Sequence, residues 1–428
     1  MNKYRYLFFG LILCCSITLQ AQVNRVYSSM IHTLQTIVND DWMQLPVIVL
    51  DSEDWVTVSF DHFSHEYHRF CCHLEHCNAD WTKSDLLEVD YMDGFNDRPI
   101  EWYANSLNTT FLYTHYLVEY PNDDLALKKS GNYRVIIFDE DAELQPGSPQ
   151  PSYKGYPVVA EACFMVVEPL VNVAAEVTSN TDIDTHDSHQ QVSFSLIHTN
   201  YSIDHPNEEL SVIVSQNNSP DMTVHNVRPT YQNPGKLDYV HNRSLIFPGG
   251  NEFRRFEVIN MHYGSQNVNE ISYFEPYFHA ELLSDSQRRA YSFDSDHNGR
   301  FYIRYNLAED NDVEADYLFV HFSLDIPYST DVDYYLTGSF SNYALLPDNQ
   351  LKFNAQKSMY ESTLLLKMGA YDYQYVCVDK EGNLCIPSPS DGSFYETENE
   401  YTIYVYHRAF GERYDRLVAV QTIDFTQE

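Results

Sequence analysis

The hydrophobic pattern of the chain is that of short β-strands separated by turns. Runs of five or six residues either alternate between apolar and polar side chains or are apolar throughout, as strands with one or both faces buried do. These runs are Trp55–Phe60, Tyr133–Phe138, Gln191–Leu196, Leu210–Val214, Tyr317–Phe322, Tyr371–Val376 and Tyr401–Tyr406. Long amphipathic helical patterns are almost absent. The pattern predicts an all-β chain of antiparallel sandwiches, with at least about 15 strands and less than about 15% helix.

Turn-forming combinations of Pro, Gly and Asn, such as Asn233-Pro234-Gly235, separate these runs. Two places look like domain boundaries. Val166–Leu170 looks like a last strand that leads into a linker marked by Pro169, and Pro327 follows another strand. We therefore expect three consecutive immunoglobulin-like β-sandwich domains, over residues 22–168, 169–325 and 326–428. The last is an early-set-like sandwich with a tail after residue 407.

The N-terminus has the pattern of a secretory signal peptide. Lys3 and Arg5 precede an apolar run that ends at Leu19, and Ala21 is a small residue at the cleavage position. We predict that residues 1–21 are removed on export. The cysteines in this segment do not follow a small residue, so we expect no lipid anchor. No later segment is long and apolar enough for a transmembrane helix, so we expect a soluble mature chain.

The charge of the chain excludes some partners. Its 428 residues contain 26 Lys and Arg against 62 Asp and Glu, which gives a formal net charge of −36. Nucleic-acid binders need clustered Lys and Arg for phosphate contacts, so nucleic acid is not an expected partner. The same balance disfavours docking onto anionic lipid. The 43% share of hydrophobic residues is enough for real cores.

Two segments resemble metal sites, and neither has the required spacing. His and Cys crowd between His62 and Cys77, but the segment contains no Cys-x-x-Cys, and His65 and His68 are one residue too close for His-Glu-x-x-His. If this segment is a strand, Cys71, His73 and Cys77 point to one face and Cys72 and His76 to the other. Asp294–Gly299 copies half of a calcium loop, but Tyr305 stands where the closing Glu belongs. We expect no metal.

No catalytic signature is present in the sequence. It contains no Gly-x-Ser-x-Gly, no Walker A motif and no Gly-x-Gly-x-x-Gly. We therefore expect a protein without enzyme activity or cofactor. Six cysteines remain in the mature chain: Cys71, Cys72, Cys77, Cys163, Cys377 and Cys385. Their pairing is open among 15 connectivities, although Cys377 and Cys385 flank a turn and could face each other across a hairpin.

The last predicted domain resembles early-set immunoglobulin-like modules, including the glycogen-binding type. The similarity rests on Tyr335–Tyr343, Met359–Gly369 and Tyr371–Val376. Such modules often bind sugar through an aromatic residue after an Asn, and Tyr343 follows Asn342 here. Aromatic residues that only fill a core are the other interpretation. A periplasmic glycan-binding protein that acts through this module is therefore an alternative function.

Motifs along nearly the whole mature chain resemble the plug protein family of the Bacteroidetes type IX secretion system, formerly a domain of unknown function. The matching stretches include His76–Trp81, Tyr113–Tyr116, Ser130–Tyr133, Gly249–Arg254, Glu396–Tyr401 and Arg413–Leu417. The chain departs from the family pattern at Cys163, Tyr343 and Met368, where Arg, Trp and Gln are usual.

The resemblance implies a monomeric, non-enzymatic protein in the periplasm, associated with the outer membrane through the translocon. It would bind the giant outer-membrane barrel of the secretion system and seal its periplasmic mouth when no cargo passes. The tail is the candidate contact, because it concentrates positive charge and aromatic rings in an otherwise acidic chain. The candidate partner-binding residues are Arg408, Phe410, Arg413, Tyr414 and Arg416. A C-terminal strand that packs on its own domain is the other interpretation of this tail.

Overall fold

A computed structural model of the chain describes residues 24–144 and 147–426. The predicted signal peptide lies outside these residues. Strands make up 47% of the chain and helices 6%, so the predicted all-β sandwich fold is confirmed. Alternating burial shows why the strands form. In the strand Tyr317–Asp325, Val320, Phe322 and Leu324 are buried while the residues between them are half-buried, which is the two-residue period of a sheet with one face on a core.

The first unit, which we call the N-terminal sandwich, contains thirteen strands among the described residues. A seven-stranded sheet has β13, β11 and β5 at its centre and faces a four-stranded sheet in the order β2-β4-β9-β8, with a small β6–β10 pair beside them. The strands are β1 (Arg25–Val26), β2 (Ile31–Val38), β3 (Val47–Val49), β4 (Val56–His62), β5 (Phe70–Cys77), β6 (Met92–Gly94), β7 (Arg98–Pro99), β8 (Trp102–Asn105), β9 (Thr114–Tyr120), β10 (Leu125–Leu127), β11 (Gly131–Asp139), β12 (Ser152–Tyr153) and β13 (Tyr156–Val167).

The next strands begin a second unit, the central sandwich. They are β14 (Asn172–Thr178), β15 (His189–Ile197), β16 (Leu210–Gln216), β17 (Thr223–Val224), β18 (Tyr231–Asn233), β19 (Lys236–Tyr239) and β20 (Ile246–Pro248). One sheet has the order β14-β15-β19-β18, and β20 also pairs with β15. The opposite sheet contains β16 and β17, but it is completed only by the last two strands of the chain.

A third unit, the inserted sandwich, follows. Its strands are β21 (Arg254–Val258), β22 (Val268–Phe274), β23 (Tyr277–Leu282), β24 (Asp285–Ser286), β25 (Phe301–Ile303), β26 (Tyr317–Asp325), β27 (Val332–Thr337), β28 (Lys352–Asn354), β29 (Met359–Lys367) and β30 (Gly369–Asp379). They form one sheet around β30 and a second in the order β22-β23-β26-β29-β28. Most pairs in the chain are antiparallel, whereas β23 and β26 run parallel.

The final strands, β31 (Glu400–His407) and β32 (Arg416–Asp424), return to the central sandwich. β31 pairs with β16 over seven residues and with β32 on its other side. The central sandwich is therefore built from two separate stretches of chain, with the inserted sandwich between them. In the described part of the chain, helices are confined to short turns: α1 (Glu88–Tyr91), α2 (Pro206–Glu209), α3 (Asn311–Glu314) and the 3₁₀ turns Pro220–Met222, Arg243–Leu245, Ser339–Ser341 and Pro347–Asn349.

This pairing departs from the predicted division into residues 169–325 and 326–428. The predicted boundary after residue 325 falls inside the inserted sandwich, where β26 pairs with β29 along its length. The stretch that includes Pro327 connects two sheets of one sandwich and does not link two domains. The physical reason is that hydrophobic periodicity locates a strand but carries no information about which distant strand completes its sheet.

Buried contacts join the N-terminal sandwich to both of the others. Toward the central sandwich, Cys77, Ala79, Trp81, Cys163 and Met165 form one apolar cluster with Ile213, Tyr404, Tyr406 and Leu417. Toward the inserted sandwich, the fully buried Asp61 pairs with the buried Lys367, with 2.7 Å between Oδ2 and Nζ. Tyr317 also donates a hydrogen bond to Asp61, at 2.6 Å. The three units are therefore held together by cores and ion pairs shared between them.

Candidate partner-binding surface

The predicted contact residues lie at the turn of the β31–β32 hairpin, where the central sandwich meets the N-terminal one. Tyr406, at the end of β31, is buried and donates a hydrogen bond to Asn132 Oδ1 at 2.8 Å. Leu417, at the start of β32, is fully buried in the shared apolar cluster. The two ends of the hairpin loop are thereby fixed against the N-terminal sandwich, and the loop between them cannot swing away freely.

The three arginines of this loop form ion pairs within the chain. Arg408 binds Asp415 at 2.8 Å and also donates to Asn78 Oδ1 at 2.6 Å. Arg413 binds Asp90 at 2.7 Å, and Arg416 lies 4.0 Å from Glu168. Asn78, Asp90 and Glu168 flank or belong to the N-terminal sandwich, so these contacts fasten the loop to it. The arginines are therefore not unpaired charges waiting for a partner.

The two aromatic residues of the loop differ in exposure. Tyr414 is buried, and its ring meets that of His76 edge to face, with centroids 5.4 Å apart, in the core of the N-terminal sandwich. Burial raises the pKa of Tyr414. Phe410 is 100% exposed. Of the five predicted contact residues, Phe410 alone presents its whole side chain to solvent.

Two more exposed apolar side chains lie beside this loop. Leu87 and Val89 are 65% and 71% exposed, and they flank Glu88 in the segment that carries Asp90. The Arg413–Asp90 ion pair therefore places the loop of Phe410 next to Leu87 and Val89. We call these three residues the hairpin-loop surface. Clustered exposed apolar groups with polar neighbours are typical of protein contact sites. The sequence analysis missed Leu87 and Val89 because their neighbourhood depends on a contact between distant segments.

The His and Cys segment forms β5, and its residues alternate between faces. Cys72 belongs to the core of the N-terminal sandwich, whereas Cys71 and Cys77 belong to two other apolar clusters. The His76 ring donates a hydrogen bond from Nε2 to the Ser130 carbonyl at 3.0 Å, and its Nδ1 accepts one from the Ser84 hydroxyl at 2.9 Å. β5 is buried on both sides of its sheet, and burial raises the pKa of the thiols of Cys71, Cys72 and Cys77. Glu75, the carboxylate of this strand, forms ion pairs with Lys83 and Arg134.

The half calcium loop forms a polar turn. Asp296 accepts hydrogen bonds from the backbone N–H groups of Asn298, at 3.0 Å, and of Phe253. Burial raises the pKa of Asp296 well above its usual value. The side chain thus ties a turn of the inserted sandwich to the start of β21. The carboxylate oxygens of Asp296, which a bound cation would need as ligands, are therefore occupied by hydrogen bonds from backbone N–H groups.

Tyr343 lies in a junction between units. Its hydroxyl donates to the carbonyl of Asn217 in the central sandwich, at 3.4 Å. It lines a cavity of about 180 Å³ together with Trp42, Asn217, Asn218, Asn298, Arg300 and other residues of all three units. Tyr343 is therefore not an open aromatic platform of the kind expected for an exposed sugar-binding module.

Comparison with known proteins agrees with the fold. The sequence model of the "Type 9 secretion system plug protein 1st domain" matches residues 31–146. The crystal structure of a hypothetical protein from Parabacteroides merdae ATCC 43184 is 39% identical; the match covers 95% of this chain and 100% of that one, with a TM-score of 0.88. A biofilm-associated protein domain matches with 8% identity over 93% of this chain and 59% of that one, with a TM-score of 0.19 that supports no inference. No curated protein matches.

The fold and the candidate site together indicate an all-β protein made of joined sandwiches, whose candidate site is a contact surface. The chain belongs to the type IX secretion system plug protein family. The matched residues 31–146 span most of the N-terminal sandwich, which carries Leu87 and Val89 and to which the hairpin loop is fastened. Within the described residues, no helix has the length and apolar character needed to cross a membrane.

Proposed function

We propose that this protein is a non-enzymatic, monomeric periplasmic plug that binds the periplasmic mouth of the type IX secretion translocon barrel and seals it when no cargo passes. The match of residues 31–146 to the plug protein first domain carries this proposal. The all-β fold of joined sandwiches supports a structural role. We infer the barrel as partner, the periplasmic location and the association with the outer membrane from membership of the plug protein family.

The physical demands of a plug fit the fold described above. A plug must keep its shape when one of its sides is held against the barrel. The buried cores and ion pairs between the three sandwiches oppose movement of one sandwich relative to another. A compact body of about 400 residues has a radius of gyration of about 21 Å and hence a diameter of about 55 Å. That diameter is comparable with the lumen of a 36-stranded barrel, which is about 55 Å once side chains narrow a backbone of about 72 Å.

The hairpin-loop surface is the contact we propose for the barrel. Interfaces depend on a few well-placed anchors, often aromatic, with polar contacts around them. Phe410 offers a fully exposed ring, and the ion pairs of Arg408 and Arg413 hold its loop in place. A preorganised anchor loses little conformational freedom on binding, which favours affinity.

Deletion of the gene, followed by complementation with variants, tests the proposal. The deletion strain should admit bulky antibiotics while its cargo-independent growth continues, and a tagged wild-type chain should restore the barrier and recover the barrel protein from outer-membrane extract. Phe410→Ser should fold normally but recover less barrel. Phe293→Ser is the matched control, because Phe293 is 66% exposed on the inserted sandwich. Unchanged permeability in the deletion strain, with no barrel protein recovered, would contradict the plug function.

A second candidate function is glycan binding, favoured by the cavity next to Tyr343. Trp42, Tyr343 and several Asn side chains line it, and aromatic faces with amide groups suit sugar rings. Glycan-array binding that Trp42→Ala abolishes, in a protein that recovers no barrel, would favour this function over the plug.

A further inference from the structure

One end of the N-terminal sandwich gathers a histidine and two aspartates from distant parts of the sequence. His68 lies near the end of the loop between β4 and β5, Asp139 is the last residue of β11, and Asp141 follows it. Because Asp139 pairs with Phe70 in the sheet, this end of β11 lies beside the end of that loop. One ligand atom of each residue, His68, Asp139 and Asp141, lies within 4.8 Å of the other two.

Backbone contacts orient these groups. Asp139 Oδ1 accepts a hydrogen bond from the N–H of Asp141 at 2.9 Å, and Asp141 Oδ2 accepts one from the N–H of Arg69 at 2.7 Å. The hydroxyl of Tyr116 bonds to both the N–H and the carbonyl of His68, at 3.0 and 3.2 Å. Each carboxylate is thus oriented by a backbone N–H on one oxygen, and the other oxygen of Asp139 faces His68 Nδ1 at 3.3 Å. Such supporting bonds are typical of groups that bind metal ions.

The charge of the cluster is not balanced by lysine or arginine. Asp139 is 5% exposed, and its one ion-pair partner among the described residues is His68, 3.3 Å away. The nearby Arg69 side chain pairs with Glu140 instead, at 2.9 Å. Asp141 has no ion pair in the part of the chain that the structure describes. A buried carboxylate normally requires a cationic partner, so the cluster has the charge that a cation would satisfy.

A second histidine provides independent evidence. His62, the last residue of β4, is 5% exposed, and its Nδ1 is buried without a hydrogen-bond partner. Its ring contacts that of His68 with centroids 4.4 Å apart. A buried imidazole nitrogen without a partner is costly, and a metal ion that drew this ring toward the cluster would remove that cost.

We propose that His68, Asp139 and Asp141 form a binding site for one divalent ion of the zinc type, with the neighbouring His62 turning toward the ion as its fourth ligand. Two imidazoles and two carboxylates match the four-coordinate preference of zinc, and imidazole ligands exclude a calcium site, which takes oxygen ligands. Neighbouring ligands of a tetrahedral zinc are about 3.3 Å apart, and His68 Nδ1 and Asp139 Oδ2 already have that separation. Asp141 is exposed and can close the remaining distance.

This site revises the expectation of no metal. That expectation rested on ligand spacing within residues 62–77, whereas the proposed site joins only His62 and His68 of that segment to residues some 70 positions further on. Bound zinc would link the β4–β5 loop to the end of β11 and stabilise this end of the sandwich, because an ion that binds only the folded state raises stability by mass action.

The test is metal binding by the purified mature chain after removal of metal with a chelator. Isothermal titration with zinc should show one site per chain, and zinc should raise the melting temperature. Cobalt in the same site should give the visible absorption bands of a tetrahedral ion. Asp141→Asn and His68→Gln should each weaken zinc binding by at least about tenfold. Asp123→Asn is the matched control, since Asp123 is exposed and follows the end of β9 opposite to the one that pairs with His62.

Melting of the metal-free variants separates loss of the site from loss of the fold. Metal-free Asp141→Asn should melt within a few degrees of the metal-free wild type, because the exposed side chain keeps its shape and its acceptor oxygen. Zinc binding of equal strength in the wild type, Asp141→Asn and His68→Gln would overturn the proposal. The absence of a saturable zinc site in the wild type, or a site that takes calcium but not zinc, would also overturn it.

Discussion

Replacing Lys367 by methionine should leave Asp61 as a buried charge without its main partner. Lys367 Nζ lies 2.7 Å from Asp61 Oδ2, and both side chains are at most 1% exposed. The ammonium also donates to the carbonyl of Asp312 at 2.7 Å and lies 4.3 Å from the centre of the Tyr113 ring. Methionine keeps the length and the apolar stem of lysine, so the change removes the charge with little change in packing.

The expected cost follows from the burial of the pair. Removing one partner of a buried ion pair typically costs about 3–5 kcal/mol, because the other charge stays desolvated. His115 and Tyr317 still bond to Asp61, at 2.6 Å each, so we expect the lower part of that range. The urea slope grows with the surface exposed on unfolding and should be about 4 kcal/mol per M for a chain of this length, so a loss of about 3 kcal/mol lowers the unfolding midpoint by about 0.75 M. Circular dichroism and tyrosine fluorescence should report the same shift.

The pH dependence gives a second, sharper readout. Burial alone would raise the pKa of Asp61, but Lys367 and His115 hold it below its usual value of 3.8. In the wild type, this carboxylate therefore contributes stability above pH 3.8 that is lost as the pH falls through the lowered pKa. Without Lys367, burial dominates and the folded pKa rises above 3.8. The destabilisation by Lys367→Met should then grow as the pH rises and fade in acid.

Lys357→Met is the matched control, because Lys357 also binds a carboxylate, Glu361, at 2.7 Å, but its side chain is 57% exposed. Exposed pairs of this kind contribute little to stability because water screens both charges, so the control midpoint should barely move. Adding Asp61→Asn to Lys367→Met should restore much of the lost stability. The reasoning would be refuted by a Lys367→Met variant that unfolds within about 0.2 M of the control, or by a double variant less stable than the single one.

Three further predictions concern pH, redox state and the C-terminal tail. Burial lowers the pKa of His76 from 6.5 to about 4. The unfolded chain therefore binds more protons, and stability should fall as the pH drops from 6.5 toward 4. The difference between the urea midpoints at pH 7 and 5 should be smaller in His76→Gln than in the wild type. Cys377 and Cys385 have sulfurs 2.8 Å apart, so oxidation should join them and lower the intact mass by two hydrogens, whereas Cys385→Ser should show no such loss. Truncation after Tyr406 removes β32 and the buried Leu417 and Val418. The near-ultraviolet circular dichroism of the truncated chain should therefore show a loss of tertiary packing, whereas Phe410→Ser should keep the wild-type spectrum.

The existence of the strands could be predicted from the sequence because their period is local. Trp55–Phe60 and Tyr401–Tyr406 correspond closely to β4 and β31, since alternation of apolar side chains needs only neighbouring residues. The partner of β31 could not be predicted in this way. It pairs with β16, about 190 positions earlier, and no local pattern records that the inserted sandwich lies between them.

The candidate contact residues show the same limit at the level of single side chains. Arg413, Tyr414 and Phe410 look alike as a basic and aromatic tail, but Tyr414 fills a core and Arg413 binds Asp90, and only Phe410 is wholly exposed. The difference is set by the N-terminal sandwich, more than 300 positions away, which offers a core beside Tyr414 and a carboxylate beside Arg413. Exposure is a property of the assembled surface, so composition of the tail alone could not assign it.

The two buried polar clusters of the N-terminal sandwich carry this argument furthest. Asp61 and Lys367 are 306 positions apart, and His68 and Asp139 are 71 apart. Spacing rules recognise ligands that one helix or one loop brings together, so they pass over groups that a sheet register or a junction between units aligns. A lone buried carboxylate is costly. The fold supplies a positive charge beside Asp61, in the form of Lys367, and it leaves room for a cation beside Asp139. The chemistry of such sites is therefore determined by which strands and units pair, and the local hydrophobic pattern does not specify that pairing.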